Sequence, residues 1–203
     1  MKSQSTKSKR IEQSAIPQAQ ITPANKIFQI NKQLILTCRK LETGPLENYT
    51  HMATLIHKTN LLLLEYDSVN DLKNISNLIF TDKLLNTLID FCMNTENFAN
   101  FGIRLIEILS LEFTTKIAKS EIFAVIQGLL RTNDYETVAQ SLSFISVMSQ
   151  QIGALENEYL LSQKGKDAKV DEESKVVPPL KLAEVLKPKL LVLILSIVSK
   201  VPE

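Results

Sequence analysis

Two histidines, two cysteines and one pair of glutamates are the first side chains to test for chemistry in this 203-residue chain. His51 and His57 are six residues apart. A helix that grips a metal places its histidines four apart on one face, so this spacing turns the two imidazoles away from each other. Cys38 and Cys92 lie far apart with no Cys/His company nearby, which reads as two free thiols rather than a zinc site or a disulfide framework. Glu107 and Glu112, five apart, differ in azimuth on a helix, and nothing around them in sequence would raise a carboxyl pKa. The five glycines are scattered singly, so there is no phosphate-cradling loop, and no Gly-x-Ser-x-Gly elbow occurs. The expectation is a protein that is not an enzyme, with no cofactor, no metal and no small-molecule substrate.

What remains is binding, and composition bounds its kind. Residues of the set AVILMFWYC make up 44% of the chain and charged residues 22%, enough to build one sizeable core. Few glycines and abundant Leu and Ile favour helices over a turn-rich sandwich. The net charge of +1 hides an asymmetry. Residues 1–40 hold eight of the 23 basic side chains and only one of the 22 acidic ones, so a basic arm precedes a mildly acidic body. No apolar signal-peptide core follows "MKSQSTKSKR", and an intracellular protein, cytoplasmic or nuclear, is expected. In that setting the glycosylation-like tripeptides at Asn48 and Asn74 carry little weight.

Residues 1–24, polar and holding Pro17 and Pro23, predict a flexible basic tail. Residues 25–163 carry the helical domain. Ile27, Ile30, Leu34 and Leu41 recur in a helical rhythm until Gly44-Pro45, a second helix runs from about Leu46 to Tyr66, and a shorter one from about Asn70 to Phe80. Residues 164–177, "KGKDAKVDEESKVV", predict a charged loop, and Pro178-Pro179 opens a C-terminal apolar helix over 178–203.

Within the domain, one unit is used twice. "NFANFGIRLIEILSL" (97–111) is echoed 37 residues later by "DYETVAQSLSFISVM" (134–148). Phe98, Phe101, Leu105, Ile108 and Leu111 fall on one helical face, matched by Tyr135, Val138, Leu142, Ile145 and Met148. Gly102 and Ala139 match as small residues suited to a close helix approach, and Asn97 and Asp134 match as helix caps. The preceding helices match at an offset of 38: Asp82/Ser120 as caps, then Leu84/Ile122, Leu85/Phe123, Leu88/Ile126, Phe91/Leu129 and Cys92/Leu130. One residue of loop difference accounts for the two offsets. Two helices per unit at this period is the signature of stacked helical repeats.

On "TDKLLNTLIDFC" with "NFANFGIRLIEILSL", and "KSEIFAVIQGLL" with "DYETVAQSLSFISVM", the chain resembles the armadillo and HEAT repeat families, with a weaker third candidate over residues 46–80. The resemblance implies an all-α, armadillo/HEAT-like α-solenoid of paired helices. The tryptophan and asparagine ladder of peptide-binding armadillo proteins is missing, so their nuclear-import-type peptide binding is not carried over. The alternative architecture is an ordinary helical bundle.

Pro188 should kink or restart the last helix, and Leu190 to Val198 is apolar on every side but for Ser196. Nine helical residues rise about 14 Å against a bilayer core of about 30 Å, so no transmembrane segment is expected. Such a helix must be covered all round: by folding back, by another subunit, or by further helices of a longer solenoid.

The expected interaction stripe is Asn100, Arg104 and Glu107 in the first unit and Thr137, Ser141 and Phe144 in the second, with Phe144 as an exposed aromatic anchor. The function read from the sequence is a non-catalytic protein-binding scaffold, a subunit of a larger assembly whose partners are other proteins. The alternative is a chromatin- or RNA-associated subunit whose tail residues Lys2, Lys7, Lys9 and Arg10 contact phosphates or direct the chain to the nucleus. No aromatic residue is interleaved before Phe28, so base stacking is not indicated.

Overall fold

The helical rhythm of the sequence becomes nine α-helices and one 3-10 turn in the computed structural model, which describes residues 23–44, 48–164 and 181–199; no strand occurs among the described residues. The flexible tail with Lys2, Lys7, Lys9 and Arg10, and nearly all of the charged loop expected over 164–177, lie outside the described residues. The helices are α1 (Pro23–Thr43), α2 (Tyr49–Leu63), α3 (Val69–Ile79), α4 (Asp82–Asn94), α5 (Ala99–Ala118), α6 (Ile122–Leu129), α7 (Tyr135–Lys164), α8 (Leu182–Val185) and α9 (Pro188–Val198).

Local chemistry sets the starts. Asn48 Oδ1 accepts the His51 amide at 3.0 Å, Ser68 Oγ the Asp71 amide at 3.1 Å, and Thr81 Oγ1 the Leu84 amide at 2.9 Å, each satisfying a first-turn donor. Asp134 Oδ2 accepts the Thr137 amide at 3.3 Å and opens α7. Three expected caps sit elsewhere. Thr81 caps α4, leaving Asp82 as its first residue; Asn97 lies inside the 3-10 turn Glu96–Phe98, so α5 begins at Ala99 with no side-chain cap; and Glu121 rather than Ser120 holds the cap position of α6. Pro188 restarts the chain as the first residue of α9, where its missing N–H costs nothing.

Helix α5 is the hub, packing against α2, α3, α4, α6 and α7. Helix α1 lies on α2, α3 and α4; α6 lies on α4, α5 and α7. The hairpins α4–α5 and α6–α7 therefore stand side by side, first helix against first and second against second. The third repeat expected over residues 46–80 is not a hairpin of that kind, because α2 and α3 each make their principal contacts with α1 and α5.

Burial fixes the register between the two hairpins. Ala99, Ile103, Ile106, Ser110 and Thr114 of α5 are buried, and so are Thr137, Ser141, Phe144, Met148 and Ile152 of α7, each 38 residues on. At these five positions the buried faces of the second helices recur at 38 residues, the offset of the first helices, whereas buried Leu105 has exposed Ser143 at that distance. The 37-residue echo follows apolar identity rather than position: Leu105 is buried while Leu142 is half-buried, and Gly102 is buried while its expected counterpart Ala139 is exposed. Gly102 itself permits the close approach expected of it, since a Cβ there would stand 2.5 Å from Cys92 Sγ and 3.2 Å from Phe91 Cδ1.

The C-terminal helices fold back. Val185 and Leu190 are buried, Leu193, Ile194 and Ile197 pack partly on the core, and Glu156 Oε1 of α7 accepts the Leu182 amide at 3.0 Å. Full burial of a side chain such as Leu190 contributes about 1.5–3 kcal/mol. The opposite face of α9 has no cover among the described residues: Leu191 is 45% exposed, Val192 67% and Leu195 68%. No helix among the described residues is long and apolar enough to cross a membrane.

Candidate functional site

The reactive side chains are either sealed or apart. Cys38 and Cys92 are free and buried, and loss of solvent pushes each thiol up to about 12. A thiol so placed is protonated at neutral pH and is no nucleophile. His51 and His57 are both exposed, and the His57 ring lies 4.9 Å from that of Phe101. No group of three His, Cys, Asp or Glu among the described residues could hold a metal ion.

The expected stripe divides at the α5/α7 seam. Asn100 is half-buried and its Nδ2 donates to Glu136 Oε2 at 3.2 Å; Glu107 is half-buried and accepts from Gln140 Nε2 at 3.0 Å; Arg104 is exposed. Burial raises the Glu107 carboxyl, opposed by hydrogen bonds from Ser143 and Gln140 and by the charge of Arg104. Thr137, Ser141 and Phe144 are fully buried, which corrects their placement on an outward face. The Thr137 hydroxyl reaches the Glu96 carbonyl at 3.2 Å, the Ser141 hydroxyl donates to the Thr137 carbonyl at 2.7 Å, and the Phe144 ring lies 5.6 Å from that of Phe123. The reason is the 38-residue register, which makes Phe144 the counterpart of buried Ile106 and turns this face of α7 into α5.

Two surfaces do face outward. The first is the open side of α9, formed by Leu191, Val192 and Leu195. It was legible as an uncovered apolar run. The second is a cleft of about 410 Å³ between the end of α4 and the length of α6, walled by Cys92, Met93 and Glu96 on one side and by Glu121, Ala124, Val125, Gly128 and Leu129 on the other. Sequence reading missed it. The available signal was the spacing of Glu121, Ala124, Val125, Gly128 and Leu129, one stripe of α6 in which two small residues stand four apart.

Comparison with protein-family models, curated proteins and solved structures finds no match to this chain.

Proposed function

We propose that the chain is a non-catalytic protein-binding scaffold, a subunit of a larger assembly, in which α4–α5 and α6–α7 are stacked units of an armadillo/HEAT-like solenoid and α9 docks a neighbouring protein. Support for the stacking comes from the five buried positions of α5 that recur 38 residues on in α7 and from the packing of α4 on α6 and α5 on α7. The observation that carries the binding role is the face of α9, where Leu191, Val192 and Leu195 stand together in solvent on a helix whose other side is anchored. A cluster of large aliphatic side chains on the closing helix is the kind of surface that a partner covers.

The test is a pair of substitutions, Val192→Glu and Leu195→Glu, in a tagged full-length chain expressed in its native cell. Val192 is 67% exposed and Leu195 68%, so the thermal midpoint is expected to hold while the set of co-purifying proteins shrinks. An unchanged set, with the fold intact, overturns the docking role of α9.

A further inference from the structure

We propose that the partner docked on α9 is an acidic amphipathic helix, its apolar ridge seated in the groove between α9 and Arg131 and its carboxylates paired with Arg131 and Lys189. The proposal rests on the docking role given to α9 above and supplies the chemistry of the partner.

The groove, of about 440 Å³, opens between Arg131, in the turn that follows α6, and one stripe of α9. On α9, Lys189, Val192, Leu193 and Ser196 stand at i, i+3, i+4 and i+7, which is a single face of a helix. Val192 also belongs to the exposed cluster with Leu191 and Leu195, so the groove and that cluster are one surface. Side chains spaced three and four apart form the rows between which the ridge of a second helix packs. An incoming helix thus covers the apolar face that no described residue covers.

The polar groups of the groove fix the sign of its charge. Arg131 and Lys189 are its charged residues, both are exposed, and neither belongs to an ion pair among the described residues. No carboxylate lines the groove among the described residues. Ser196 donates its hydroxyl hydrogen to the Leu193 carbonyl at 2.7 Å, so the side-chain donors left for an occupant are the guanidinium and the ammonium. Arg131 stands on a fixed base: Leu129 and Leu130 before it are buried, and its own amide donates to the Gly128 carbonyl at 3.0 Å. A guanidinium offers a carboxylate two parallel hydrogen bonds, and the ammonium adds a second point of charge. An anionic lipid surface shares this chemistry, and concavity decides between the two. A groove takes the ridge of a helix, whereas a helix that lies on a bilayer presents a convex apolar face.

The probes are a synthetic helical peptide with leucine along one face and glutamate on both flanks, and its counterpart with lysine in place of each glutamate. Titrated into the full chain, the glutamate peptide is expected to shift the amide signals of Arg131, Val192 and Ser196. It should bind about tenfold more tightly than the lysine peptide, a preference that shrinks in high salt. Arg131→Glu with Lys189→Glu, both at exposed positions, should reverse the preference. The salt titration tests the charge without a substitution, should the double variant fail to fold. Equal binding of the two peptides, shifts confined to other residues, or a preference that salt does not weaken overturns the proposal. So does finding the same amide shifts with phosphatidylserine vesicles, which assigns the groove to lipid, or on concentrating the chain alone, which assigns it to a second copy. If Val192→Glu with Leu195→Glu still reduces the co-purifying set while the glutamate peptide shows no preference, α9 docks a partner of another chemistry. If neither responds, the docking role has failed as well.

Discussion

Gly102 and Cys92 face each other at a separation that leaves no room for a methyl group: a Cβ on Gly102 would lie 2.5 Å from Cys92 Sγ. This contact lets α4 and α5 close into a hairpin, and it sets two preferences in opposition. Alanine is favoured over glycine in a helix by about 1 kcal/mol, whereas overpacking a core costs about 1–3 kcal/mol. Gly102→Ala is expected to destabilise the protein in urea unfolding. Cys92→Ala removes the sulfur, and in the double variant the methyl group is accommodated, giving a coupling of at least about 0.5 kcal/mol in the cycle. Additive effects would show that the two residues do not compete for the same space.

Both thiols are predicted to resist alkylation. With each group held at about 12 by burial, the reactive thiolate is scarce at pH 8, and modification should require unfolding. The sign of the pH effect follows. Above the ordinary thiol range the unfolded chain releases two protons that the folded chain keeps, so stability falls as pH rises from about 9 towards 12. Replacing either cysteine with alanine should flatten that alkaline limb, read as the urea midpoint against pH.

Glu107 sits half-buried at the seam, and desolvation raises its carboxyl. Its native form binds a proton at higher pH than its unfolded form, so its contribution to stability falls as pH rises through that window. Glu107→Gln keeps an acceptor for Gln140 without the charge. The variant should be the more stable at pH 7, and its advantage should shrink on acidification through the carboxylate range. An advantage that persists at pH 3 would assign the effect to packing.

The register makes a quantitative prediction. Ile106 and Phe144 occupy equivalent buried sites, so Ile106→Ala should cost about 2–5 kcal/mol and Phe144→Ala about 3–5 kcal/mol. Denaturation midpoints of the two variants check the pairing.

Helices were legible where apolar spacing was strong and where breakers marked the ends, as at Gly44-Pro45 and Pro188. The first helices of the two units were legible in register because both are short and apolar on one side. The second helices were not, because α7 uses Thr137 and Ser141 at sites where α5 uses Ala99 and Ile103. A hydroxyl that bonds back to its own helix, as Ser141 does to the Thr137 carbonyl, can be buried cheaply, and a polarity pattern then assigns it to the wrong face. Phe144 followed the same error. The α4/α6 cleft escaped notice for a different reason: it arises between two helices, and their relative placement is not written in either stripe alone.

Helix α5 lies near the middle of the chain and touches five other helices, from both the N-terminal and the C-terminal side. No single cut of the polypeptide leaves two halves that each keep a closed interior. A fragment ending before Ala99 exposes the inner faces of α2, α3 and α4, and one beginning after Ala118 exposes those of α6 and α7. Helices α1 to α7 are thus linked through α5, and α3 and α4, made before it, lack their main neighbour until α5 has left the ribosome.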